Sequence, residues 1–215
     1  SILAEIKELE KNGYKEITLL GQNVDSYLWY GGGLKKDFKK ASDIQKKTSI
    51  NFAKLLDIVA KSFPKFRIRF TTSNPQDMDN EVLITMKAHN NICNHIHLPV
   101  QSGSDKILKE MNRQHTREEY LNLVTEIKTI LPDCGISQDM ITGFPNETEK
   151  DHLDTLSLMN LVKYDFGFMF KYSERPGTLA SRKLNDNIDE KTKQNRLSEI
   201  INLQQKHSLE NLSKY

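Results

Sequence analysis

HIHLPVQSGSDKILKEMNR, residues 95–113, passes from strand to loop to helix without a break. His95 to Leu98 reads as a short strand, and a helix follows over roughly Ser104 to Met111. Between them stands a polar, glycine-containing turn in which Ser104 can cap the helix. The same beat recurs on both sides. KEITLLGQN gives a strand from Ile17 to Leu20 that breaks at Gly21. In FRIRFTTSNP, Phe66, Ile68 and Phe70 alternate with Arg67 and Arg69 until Pro75 stops the run. Strands over Ile136 to Ile141 and Phe166 to Phe170 complete a set of five. Helical patterns lie between them: Ile2 to Leu9, the run containing Phe52, Leu55, Leu56 and Val59, then Asp79–His89, Thr116–Ile130 and Thr148–Val162. A mixed-charge helix over Ile188 to Lys214 ends the chain. Strand alternating with helix predicts an α/β fold of parallel βαβ units.

In barrels of this class, the loops after the strands' C-terminal ends build the site. Here those loops are LLGQN, TTSNP, HLPVQSGS, DMITGFPNET and FKYSERPGT. Five strands do not close an eight-stranded barrel, so a partial barrel missing its beginning fits best. Residues 1–187 form the expected barrel domain, with 188–215 a C-terminal helix beyond it.

Composition narrows the function. The 215 residues carry 31 Lys and Arg against 29 Asp and Glu, a net charge of +2. That excludes a strongly basic nucleic-acid coat, so any polyanion contact must come from a local patch. One exists: Lys35 to Lys47 holds six lysines and two aspartates in an otherwise irregular stretch, residues 25–48. It reads either as a solvated insertion or as an RNA-contacting loop. No apolar run approaches the roughly 18 residues that span a bilayer. SILAEIKELEKNGYKE lacks a signal peptide's basic start and apolar centre, so no membrane partner is expected and a cytosolic location is the default.

Several residues stand out by chemistry. Gly103 permits close backbone approach, while Gln101 and Ser102 offer polar groups at a pocket mouth. Asp139 sits at a strand's C-terminal end, where a carboxylate can accept from a ribose or a substrate hydroxyl, or can cap a helix. His95 and His97 alternate on one strand face, but no third ligand stands at a recognised spacing. Cys93 and Cys134 form no CxxC and suit small buried hydrophobes. No GxSxG, HExxH or Ser-His-Asp pattern marks a hydrolase.

Five stretches together carry a resemblance: EITLLGQNVDSY (16–27), RIRFTTSNP (67–75), HLPVQSGSDKILKEMNR (97–113), DMITGFPNETEKD (139–151) and YSERPGTLA (172–180). In this order they resemble the radical S-adenosylmethionine methylthiotransferases. LLGQNVDSY and TTSNP are most similar to the branch acting on tRNA, although Asn74 stands where that branch has histidine.

The resemblance implies a partial (β/α)6 TIM-like barrel without its N-terminal strand and cluster loop. It implies S-adenosylmethionine and 4Fe-4S clusters as cofactors, and the tRNA anticodon stem-loop as partner. The implied reaction adds a methylthio group to C2 of N6-isopentenyladenosine beside the anticodon. A cluster would pass one electron to S-adenosylmethionine, and the resulting 5′-deoxyadenosyl radical would take hydrogen from C2. Such a cluster needs three thiolates in a CxxxCxxC run, which this chain lacks. The chain alone is therefore expected to be an inactive piece of the radical domain, followed in the whole protein by an RNA-binding β-barrel.

Residue by residue, the resemblance assigns Gln101 and Asp139 to the cofactor's ribose and Arg113 to its methionine carboxylate. Arg113 could instead pair with Glu110 or Glu118. Ser102 accompanies Gln101; Gly143 and Phe144 belong to an adenine-contacting loop with Ile141; Gln22 and Asn23 approach the amino end. Siblings acting on threonylcarbamoyl-adenosine or a ribosomal protein remain alternatives. So do a coproporphyrinogen-oxidase-like radical enzyme and a cluster-less RNA-binding scaffold.

Overall fold

The computed structural model describes residues 1–71 and 74–213. Thr72 and Ser73 of the TTSNP loop, and Lys214 at the end of the final helix, lie outside the described residues. The chain divides into two compact units: Ser1–Ile96 with Ile130–Cys134, and His97–Thr129 with Gly135–Tyr215.

The first unit opens with α1 (Ile2–Lys11), capped by the Ser1 hydroxyl, and continues into β1 (Glu16–Leu20). A 3-10 turn (Val24–Ser26), β2 (Leu28–Trp29), a second 3-10 segment (Lys35–Lys40), α2 (Asp43–Lys47) and β3 (Ile50–Asn51) follow. Next come α3 (Phe52–Ser62), β4 (Arg67–Thr71), α4 (Asn80–Ala88) and β5 (His95–His97), within which the division falls. β1 and β4 run parallel, with Ile17 opposite Ile68 and Leu19 opposite Phe70. Their inward residues meet α3: Ile17, Ile68, Phe70, Phe52, Leu56 and Val59 are all buried. Phe52 and Phe70 contact edge to face at 5.2 Å. Each such side chain contributes roughly 1.5–3 kcal/mol on burial, which is why the alternation seen in sequence predicts the sheet.

The stretch 25–48, expected to be irregular, carries short order instead. β2 and β3 pair antiparallel through Leu28–Asn51 and Trp29–Ile50 and pin the two ends of the insertion together. Strands of two residues carry no periodicity to detect, so only the closed loop reveals them.

The second unit holds α5 (Asp105–Glu110), α6 (Arg117–Ile130), β6 (Gly135–Thr142), α7 (Glu149–Val162), β7 (Phe166–Lys171), α8 (Leu179–Lys183) and α9 (Glu190–Leu212). β6 and β7 pair parallel from Ser137–Phe166 to Thr142–Lys171. On the other side of β6, the Leu98 N–H donates to the Ser137 carbonyl and the Gln101 N–H to the Asp139 carbonyl. Parallel pairing places Ser137, Asp139 and Ile141 on one sheet face with Phe166, Phe168 and Phe170. Gln138, Met140 and Thr142 are buried, alternating with that face. α9 packs on β6, β7 and α7 and so belongs to this unit.

Candidate functional site

The second unit holds Gln101, Arg113 and Asp139: Gln101 is bonded through its backbone to β6, and Asp139 is near enough to Arg113 for its charge to act on the guanidinium. Gln101 leaves the strand path in the left-handed region, at φ 73°. A non-glycine residue there is strained, and it persists because both backbone groups are held by β6: N–H to Asp139 and carbonyl from the Ile141 N–H, each 2.9 Å. Asn112, just before Arg113, is left-handed too, at φ 56°.

Asp139 projects from β6 with its carboxylate 28% exposed. His97 supports it: Nε2 lies 3.4 Å from Asp139 Oδ1, while Nδ1 is 2.9 Å from the Ser137 hydroxyl. The imidazole also meets Phe168 edge to face. Of the two alternating histidines, His97 is thus the one beside Asp139. Among the described residues no group of three His, Cys, Asp or Glu could hold a metal ion.

Surrounding protein lowers the Arg113 pKa from the ordinary guanidinium value, while the Asp139 charge acts in the opposite sense. Solvent still reaches the side chain. Neither Glu110 nor Glu118 forms an ion pair with it among the described residues. The structure therefore offers a guanidinium and a carboxylate near each other, each still able to bond a guest.

Other predicted residues sit differently. Gln101 and Ser102, expected at a pocket mouth, are both buried. The Ser102 hydroxyl accepts from the Ser104 N–H and lies 3.4 Å from the Thr155 hydroxyl, so it faces α7. Gly103 does permit a close approach, but by a helix: an added Cβ would stand 2.5 Å from the Asp154 carbonyl oxygen. Ser104 caps α5 and donates to Asp151 at 2.6 Å. Burial pushes the Asp151 carboxyl up, but bonds from Ser104, Thr148 and Lys106 outweigh it and hold the pKa well below the usual range.

Gly143 and Phe144 lie in a loop clamped from α9. Gly143 has φ 70°, and its N–H donates to Glu147 Oε2 at 2.7 Å. A Cβ at Gly143 would collide with the Lys193 side chain at 2.4 Å, so two constraints demand glycine. Phe144 is buried against Tyr172, ring centroids 5.0 Å apart, and Lys193 Nζ stands 5.6 Å from the Tyr172 ring centroid. Arg196 Nη1 donates to Glu147 Oε2 at 2.9 Å and to the Glu147 carbonyl at 3.0 Å. Burial raises the Glu147 pKa, against the Gly143 N–H and Arg196, which lower it. Burial acts to lower the Lys193 pKa, but bonds to Asp186 and Glu190 raise it overall. Sequence reasoning missed Lys193 and Arg196, because in a mixed-charge helix they resemble solvated residues.

Gln22 and Asn23 belong to the first unit, where Gln22 is exposed. Asn23 Nδ2 donates to Asp77, whereas its buried Oδ1 has no partner. Both cysteines are also in this unit, Cys134 buried and Cys93 accepting from Arg67 Nε at 3.1 Å.

Comparison with known proteins places these features. Residues 1–159 match the family model described as the radical SAM superfamily. Over 98% of its length the chain is 69% identical to the tRNA-2-methylthio-N(6)-dimethylallyladenosine synthase of Christiangramia forsetii, covering 44% of that protein. The synthase of the same name from Karelsulcia muelleri is 60% identical across the whole chain, which covers 47% of it. The chain thus spans less than half the length of these relatives. Two solved structures share its fold. Coproporphyrinogen III oxidase from Escherichia coli aligns over 74% of this chain and 38% of its own, with TM-score 0.57 and 21% identity. The radical S-adenosylmethionine methyltransferase from Kitasatospora setae, solved with cobalamin and a [4Fe-4S] cluster, aligns over 83% and 32%, with TM-score 0.58 and 12% identity. Parallel β/α architecture of the partial-barrel kind, with Gln101 in the loop after β5 and Asp139 within β6, three residues before the end of that strand, agrees with the family match: this chain belongs to the radical SAM superfamily.

Proposed function

We propose that the protein carrying this chain is a cytosolic tRNA-modifying methylthiotransferase. It adds a methylthio group to C2 of N6-dimethylallyladenosine beside the anticodon, and this chain contributes the S-adenosylmethionine site. The observation that carries the reading is the convergence of Arg113 and Asp139, neither committed to a protein ion pair beyond the His97 contact, beside the strained Gln101. It supports a guest that brings a carboxylate and hydroxyls at once.

S-adenosylmethionine fits these residues. Its carboxylate suits the planar donors of Arg113, and its ribose hydroxyls suit Asp139 and Gln101. When bound, the cofactor supplies the methyl group and the means of hydrogen abstraction; this chain's residues bind, orient and shield it. A 4Fe-4S cluster does not fit the chain's own thiols, because Cys93 and Cys134 cannot provide three thiolates.

The relatives' printed activity supports the substrate. The test incubates the whole gene product, reconstituted anaerobically, with anticodon stem-loop RNA bearing N6-dimethylallyladenosine, followed by nucleoside mass spectrometry. Gain of a methylthio group is the expected result. Gain only on threonylcarbamoyl-adenosine RNA or on a ribosomal protein transfers the assignment to that sibling activity, and no gain on any of them overturns it.

A further inference from the structure

Within the first unit, the insertion between β2 and β3 is built rather than loose. Its ends are paired by Leu28–Asn51 and Trp29–Ile50. Tyr30 is buried, donates its hydroxyl to the Leu34 carbonyl at 2.8 Å, and packs on Phe38 at 5.2 Å. Ser42 and Gln45 form a capping box that starts α2. On this frame Lys35, Lys36, Lys39, Lys40, Lys46 and Lys47 are all exposed. Among the described residues only Lys35 has a carboxylate partner, Asp77 at 3.8 Å. Six lysines against two aspartates place a local excess of positive charge on a chain whose net charge is +2, so the remainder is net negative. On β2, at the start of the same insertion, Trp29, the chain's single tryptophan, is 48% exposed.

Fixed cations with an exposed indole are the two elements that sequence-tolerant binding of unpaired nucleic acid requires: charge along the backbone and an aromatic face for a base. The patch is also tied to an expected site residue, since Asp77 bonds Asn23 as well as Lys35. We propose that Trp29 and the Lys35–Lys47 segment form an RNA-docking surface: the lysines take phosphates and Trp29 stacks on an unpaired base. The inference deepens the function proposed above and rests on it. An acidic protein partner would use the charge but leave the indole unexplained.

The experiment uses the whole gene product and a synthetic anticodon stem-loop RNA, with affinity measured by anisotropy across a salt series. Replacing Lys36, Lys39 and Lys40 by Gln lowers the magnitude of the log–log salt slope by about 2–3, since each lost phosphate contact removes roughly 0.7–0.9. Trp29→Ala weakens binding roughly 5- to 150-fold at fixed salt, and Trp29→Phe restores most of it. An unchanged slope in the triple variant overturns the proposal, as does polyglutamate competing with the same salt dependence as RNA. If the parent protein binds no RNA, the proposed function falls with it; if the parent binds and the variants match it, only this surface falls. Because these side chains are exposed, unaltered far-ultraviolet circular dichroism and unchanged S-adenosylmethionine affinity accompany the expected result.

Discussion

Arg196→Met isolates the clamp on the Gly143 loop. Arg196 is 7% exposed and Glu147 2%, so the substitution leaves a carboxylate buried with only the Gly143 N–H at 2.7 Å and the Thr142 hydroxyl at 3.5 Å as donors. Removing one partner of a buried ion pair costs about 3–5 kcal/mol, a large share of the roughly 5–15 kcal/mol that separates native from unfolded protein. At a urea slope of about 2 kcal/mol per M, the midpoint falls by about 1.5–2.5 M. The sign with pH follows from Glu147. Burial raises its folded pKa, so its contribution to stability is greatest below the ordinary carboxylate range and is lost as pH rises through the raised value. Arg196 opposes that rise, so without it the loss deepens and the variant's deficit is larger at about pH 8 than at about pH 5. Adding Glu147→Gln removes the orphaned charge and recovers part of the loss, with a coupling energy of about 2 kcal/mol. Urea titrations of the parent, both single variants and the double at the two pH values measure this. A deficit under about 1 kcal/mol, or one equal at both pH values, would refute the clamp.

Arg113→Ala in the reconstituted gene product lowers S-adenosylmethionine affinity about ten- to a hundredfold by calorimetry, from a lost charged hydrogen bond of roughly 1.5–3 kcal/mol; unchanged affinity removes Arg113 from the site. Asp139→Asn slows 5′-deoxyadenosine formation on the order of a hundredfold through misplacement of about 1 Å, and leaves RNA affinity intact in a filter-binding assay; a parallel collapse of RNA binding shows a structural role. Gly103→Ala drives a Cβ against backbone of α7 at 2.5 Å and costs at least about 1–3 kcal/mol in urea titration, whereas a neutral result denies the close packing. Reconstitution of the 215-residue chain alone with iron and sulfide yields no stoichiometric 4Fe-4S absorbance near about 400 nm, because it offers only two distant cysteines.

The five parallel-type strands and the main helices were legible in the chain because they rest on local periodicity and on burial of alternating side chains. Ile17, Ile68 and Phe70 announce their buried face by spacing alone. The station of Gln101 just past a strand was legible for the same reason, whereas Asp139, expected at a strand's end, lies within β6, which continues to Thr142 because its pairing with β7 runs on to Lys171. Burial of Ser102 against Thr155, and of Phe144 against Tyr172, depended on which helix or ring arrives from far along the chain. So did the collision that makes Gly103 obligatory. Lys193 and Arg196 show the limit most clearly. Nothing in a mixed-charge helix distinguishes them from their solvated neighbours, because Glu147, Asp186 and the glycine they meet lie outside that helix. Charge type and periodicity are written locally, whereas which charge is removed from water is decided only when α9 folds onto β6 and β7.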